Sequence, residues 1–159
     1  MKKLSLSILI LLLGLVAVNA QSADSVTEIL ATESVTWGQA AYFTVTARPG
    51  TDSSISQDQA LLILKAEGWA PKNAEVSKAV NLEQVSFLLA ATWNIRGSLW
   101  LALEPAPRFT FRQLKADGII ASSFDPHRIC SGHEFLGLVS RCIDTYGIRK
   151  SLQQTEGEF

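Results

Sequence analysis

Apolar positions along this chain recur at helical spacing. Val85, Leu88, Leu89 and Thr92 fall on one stripe, and Phe135, Leu138, Val139 and Cys142 on another. That is the arrangement of helices that each bury a single face. The starts of such helices are marked as well. Ser25…Glu28, Thr36…Gln39, Ser56…Gln59, Asn81…Gln84 and Ser131…Glu134 all have the capping-box form, in which a short polar side chain and a Glu or Gln three residues later each serve the other's orphan backbone N–H. A sixth start is expected near Pro107 or Thr110, with Gln113 three residues beyond Thr110. Gly68, Gly97, Gly118 and Gly147 follow the periodic runs as helix-ending glycines do, and Pro49-Gly50 breaks the chain. No segment alternates with period two for long enough to require a strand, so the expected class is all-α.

The pattern repeats. A shift of fifty residues lays Leu64-Lys65-Ala66-Glu67-Gly68 on Leu114-Lys115-Ala116-Asp117-Gly118. Without a gap it also lays Asn81 on Ser131, Gln84 on Glu134, Val85 on Phe135, Leu88 on Leu138 and Trp93 on Ile143. A partial copy stands upstream, where Val35-Thr36…Gln39-Ala40…Tyr42-Phe43 matches Val80-Asn81…Gln84-Val85…Phe87-Leu88. The reading is three helix-pair repeats, about 22–50, 51–97 and 98–147, packed as one small bundle because no pair buries its own stripe. Trp37, Trp69 and Trp93 are assigned to the core, since their repeat mates are Leu82, Ile119 and Ile143.

Leu114…Gly118-Ile119-Ile120, then Phe124-Asp125-Pro126, then Ser131-Gly132-His133-Glu134-Phe135 resembles the S-layer homology repeat, whose second helix opens on Thr-Arg-Ala-Glu-Phe. The second unit keeps the helix pattern and the cap, and the first keeps less. The resemblance implies three helix pairs that attach envelope proteins to cell-wall-linked carbohydrate, with ligand in grooves between repeats and the motif's Arg on the acidic sugar. This chain has Trp37, Leu82 and Gly132 at the three Arg positions. None of these replaces a bidentate guanidinium contact, so the resemblance carries the fold further than it carries the ligand.

The N-terminus changes the compartment expected. Lys2 and Lys3 precede an uncharged apolar stretch from Ser5 to Val18, and Val18-Asn19-Ala20 supplies small residues for cleavage: the three parts of a signal peptide over 1–20. A retained anchor is the other reading of that stretch, which is short for a membrane span. The mature chain from residue 21 then carries 12 basic and 15 acidic residues. That balance argues against nucleic acid, which needs a basic face, and against a polybasic membrane-surface role. No membrane span is expected after cleavage. Residues 148–159 read as a disordered polar tail, leaving 21–147 as the helical domain of a periplasmic or extracellular protein.

Candidate chemistry is sparse. Trp100, followed by Glu104-Pro105-Ala106-Pro107 and by Arg108 and Arg112, forms either a stacking-and-charge platform for a sugar or peptide or a connecting helix whose Trp plugs the core. Trp100, Arg108 and Arg112 are the candidate binding residues. Asp125, His127, Cys130, His133 and Glu134 crowd one stretch, but His-x₂-Cys-x₂-His is not a structural zinc spacing and no second ligand pair exists. Cys130 aligns with Val80 and Val35 as a small buried hydrophobe. No metal or cofactor is expected. Nucleophile elbows, phosphate-cradling loops and His-Glu-x-x-His are absent, so the expectation is a non-catalytic envelope domain. Its partner would be an envelope protein, in a scaffold, or a cell-wall saccharide, in a carbohydrate-binding module. A small secreted enzyme with an unrecognised site is a distant alternative.

Overall fold

The computed structural model describes residues 26–48, 51–52, 54–95 and 106–147. The signal segment, the Ser25 cap, Pro49-Gly50, Gly97, Trp100 and the tail from Arg149 lie outside them. A helical stretch at 26–30 leads into α1 (Trp37–Thr46), α2 (Gln57–Ala66), α3 (Leu82–Trp93), α4 (Pro107–Ala116) and α5 (Gly132–Cys142), the last running into a π-turn at Ile143–Gly147. Among the described residues there is no β-strand, only two isolated bridges, Thr36 with Ala79 and Asn81 with Ile129. The class is all-α.

Local chemistry sets most boundaries. Thr36, Ser56 and Asn81 each form a complete capping box with Gln39, Gln59 and Gln84. Ser131 caps Glu134's N–H at 3.3 Å, but the Glu134 carboxylate turns away to Arg128, so only half of the box expected at Ser131 forms. Between Thr110 and Pro107 the start is Pro107, capped by Ala106 without a side-chain bond; proline suits this position because its missing N–H has no helical partner anyway. Gly68 and Gly118 take φ +80° and +75°. This left-handed turn lets Trp69 and Ala70 donate back to the Leu64 carbonyl at 2.8 and 3.2 Å, and Ile119 and Ile120 to that of Leu114 at 2.9 and 3.2 Å. The fifty-residue repeat is thus a repeat of hydrogen bonds. α3 stops earlier than Gly97, at Asn94, which itself adopts the left-handed conformation with φ 50°; Asn is one of the few residues with a β-carbon that enter it readily.

α1, α3 and α5 begin at one place. The residue before each N-cap (Val35, Val80 and Cys130) is fully buried. The three join in a cycle: Val35 N–H donates to Cys130 C=O at 2.9 Å, Cys130 N–H to Val80 C=O at 3.1 Å, and Val80 N–H to Val35 C=O at 2.9 Å. Outside this ring, the loops complete the first turns of the helices. Trp37 and Gly38 donate to the carbonyls of Lys78 and Val76, Leu82 and Glu83 to those of Arg128 and Pro126, and Gly132 to that of Thr32. A helix leaves four N–H groups without internal partners at its start. In α1 and α3 the capping box serves two and the neighbouring loop serves the other two.

The helices pack out of phase with the sequence repeat. α1 packs chiefly on α2 and α3 on α4, so each close pair joins helices that the expected division at 22–50, 51–97 and 98–147 places in different units. The 67–81 and 117–131 connections each pass through the ring, at Val80 and Cys130, before the next helix begins. α3 touches both α1 and α5, and Phe43 of α1 meets Phe135 of α5 edge-on with centroids 5.9 Å apart. The core gathers the expected stripes: Val85, Leu88 and Leu89 from α3, and Phe135, Leu138 and Cys142 from α5. Trp37 is 3% exposed, whereas Trp69 and Trp93 are only partly buried against the core.

Candidate functional site

A groove of about 380 Å³ opens beside the start of α3, within the range of small-ligand sites. One wall is the turn after α2, from Gly68 to Pro71, and the other is the first turns of α3 with Glu83, Gln84 and Phe87. Trp37 and the Ala106-Pro107 start of α4 complete it. The left-handed Gly68 aims Trp69 at Phe87, and the two rings lie 4.8 Å apart at an interplanar angle of 49°. The Glu83 backbone is held by the Pro126 carbonyl at 3.0 Å. Its side chain is 20% exposed, with Oε2 3.9 Å from Nδ1 of His127.

The electrostatics of this groove differ from those of an acidic-sugar site. Trp37, Leu82 and Gly132, which open α1, α3 and α5, are buried and present no cation. The first-turn N–H groups of α1 and α3, which in a free helix start would attract an anion, are all engaged. No lysine or arginine is among the described groove residues, and Glu83 is the ionisable one.

Of the residues singled out from sequence, Arg108 and Arg112 lie exposed on α4 and neither lines the groove, while Trp100 is outside the described residues. Trp37, read as a core residue, is both core and groove wall. Trp69, Glu83 and Phe87 are not among the site residues expected from sequence. A signal for them does exist: within the well-kept register of the repeat they stand where the next copy has Ile119, His133 and Gly137. The groove is built where the copies disagree.

Cys130 and Cys142 are free and fully buried. Desolvation first, with Glu134 beside Cys130 and Asp117 beside Cys142, pushes both thiols up to about 12; a thiol so raised is a poor nucleophile. Among the described residues no three His, Cys, Asp or Glu side chains gather for a metal, and His127 is 76% exposed. Glu67 pairs with Arg48 at 2.8 Å. Asp117 accepts from Gln113 at 3.0 Å and from the Tyr146 hydroxyl, which ties the π-turn to the end of α4. No helix among the described residues is long and apolar enough to cross a membrane. The chain matches no protein-family model, no curated protein and no solved structure.

Proposed function

We propose that this protein is an exported, non-catalytic binding module of the cell envelope, built on three helix-pair repeats similar to S-layer homology repeats, and that it attaches to its partner through the groove beside α3. The observation that carries the reading is the groove itself, where Trp37, Trp69 and Phe87 stand with one carboxylate, that of Glu83. The repeat arrangement is supported by the cycle through Val35, Cys130 and Val80 and by the matching turns at Gly68 and Gly118. Export rests on the Lys2 to Ala20 segment. The ligand differs from the acidic wall polymer of S-layer anchors, because the arginine positions have become core.

The test is capture of envelope extract on immobilised protein comprising 21–159, with separated saccharide and peptide fractions as competitors. Retention that falls when Trp69 or Phe87 is replaced by Ala supports the reading. Retention indifferent to both replacements moves attachment elsewhere, and absence of any retention removes the function.

A further inference from the structure

We infer that the groove beside α3 recognises a quaternary ammonium group. This rests on the groove being the binding site proposed above and goes further by naming the chemistry of the ligand. Three aromatic side chains, Trp37, Trp69 and Phe87, line it together with Glu83. Aromatic faces attract a cation through their quadrupole, tryptophan most strongly, and walls of this kind recognise ammonium groups whose charge is spread over methyl substituents. Glu83 adds a formal negative charge to the lining, with His127 3.9 Å from its carboxylate and no lysine or arginine among the described lining residues. The mature chain, with 15 acidic against 12 basic residues, adds to the attraction of a cation.

The same features exclude the neighbouring ligand classes. An anion would look to the N–H groups at the start of α3, but those of Asn81, Leu82, Glu83 and Gln84 already donate to Gln84 Oε1, Arg128 C=O, Pro126 C=O and Asn81 Oδ1. A primary ammonium carries three donors and is strongly hydrated, so it needs several acceptors. Here the Glu83 carboxylate is the charged acceptor, the amide oxygens of Asn81 and Gln84 each already take one bond in the capping box, and Ala70, Pro71, Ala106 and Pro107 contribute apolar side chains. A group with no N–H to satisfy, a single charge and an apolar surface matches walls of this composition. The volume of about 380 Å³ leaves room for the substituent that carries it.

Isothermal titration of the protein comprising 21–159 with choline, with its uncharged carbon isostere 3,3-dimethylbutan-1-ol and with ethanolamine tests this. Choline is expected to bind saturably, and the isostere and ethanolamine each at least tenfold more weakly. Glu83→Gln, nearly isosteric and on a partly exposed side chain, should weaken choline severalfold with an unchanged circular dichroism spectrum, so the test does not depend on an aromatic variant that fails to fold. Equal binding of the isostere would overturn the inference in favour of a merely apolar groove, and stronger binding of ethanolamine in favour of a hydrogen-bonding amine site. Envelope capture that persists without choline binding would overturn this inference and leave the proposed function standing. Choline binding without envelope capture would do the reverse.

Discussion

Gly132 and Ile29 meet backbone against backbone: a β-carbon on Gly132 would overlap the Ile29 carbonyl oxygen and come within 2.6 Å of its carbonyl carbon. The contact is fixed by the Gly132 N–H bond to Thr32 at 2.9 Å, so neither side has a flexible atom to move aside. Gly132→Ala should therefore destabilise the protein by about 2–3 kcal/mol, in the range of overpacked sites. Gly137, in the same helix, has open space for 4 Å around the place its β-carbon would take. Gly137→Ala should stabilise by about 0.5–1 kcal/mol, the cost of glycine in a helix interior. Urea denaturation of the two variants measures both, and equal effects would dismiss the close approach.

Glu134 gives a second prediction. Oε1 pairs with Arg128, but Oε2 is buried with no hydrogen-bond partner, while the other three boxes use Gln and close fully. Glu134→Gln should complete the box with Ser131 and change stability by no more than about 1 kcal/mol. Arg128→Ala alone should cost about 1–3 kcal/mol, because it strands a mostly buried carboxylate. Combined with Glu134→Gln it should cost less, and a double-mutant cycle with no coupling would refute the pairing.

The thiols give the third. Both Cys130 and Cys142 should resist a disulfide-exchange reagent in the native protein at pH 8 and titrate as two thiols in denaturant. Their folded-state pKa values are raised from the ordinary 9.0 to about 12. The stability linked to the neutral thiols is thus intact below about pH 9 and is lost as pH rises from there toward 12, where the unfolded chain ionises first. Cys130→Val, which copies Val35 and Val80, should keep stability within about 1 kcal/mol, halve the thiol titre and lessen the alkaline loss. An intramolecular disulfide found by peptide mapping would contradict it.

Export gives the fourth. Protein recovered from outside the cytoplasm should begin at Gln21, read by intact mass and N-terminal sequencing; a chain retaining residues 1–20 in the membrane fraction would show an anchor instead.

What sequence made legible was chemistry contained within a few residues. The boxes at Thr36, Ser56 and Asn81 and the turns at Gly68 and Gly118 are local hydrogen-bond problems with one economical solution, and each forms. Glu134 does not close its box because Arg128 offers a stronger, charged partner from outside the helix. The straddled pairing of α1 with α2 and α3 with α4 is hidden, since periodicity tells which face is apolar but not what covers it. Trp69 and Phe87 are illegible as a site for a related reason: an aromatic residue at a stripe position is core or groove according to how closely the next element approaches.

The cycle through Val35, Cys130 and Val80 also limits how this chain can change. An open stack of repeats lengthens by inserting a copy anywhere and needs special end units to shield its exposed faces. Here the segment near residue 35 bonds directly to the segment near residue 130, so the three segments that precede the N-caps form a closed cycle rather than an open row. A further segment inserted beside them would find the N–H and C=O groups of Val35, Val80 and Cys130 already paired with one another.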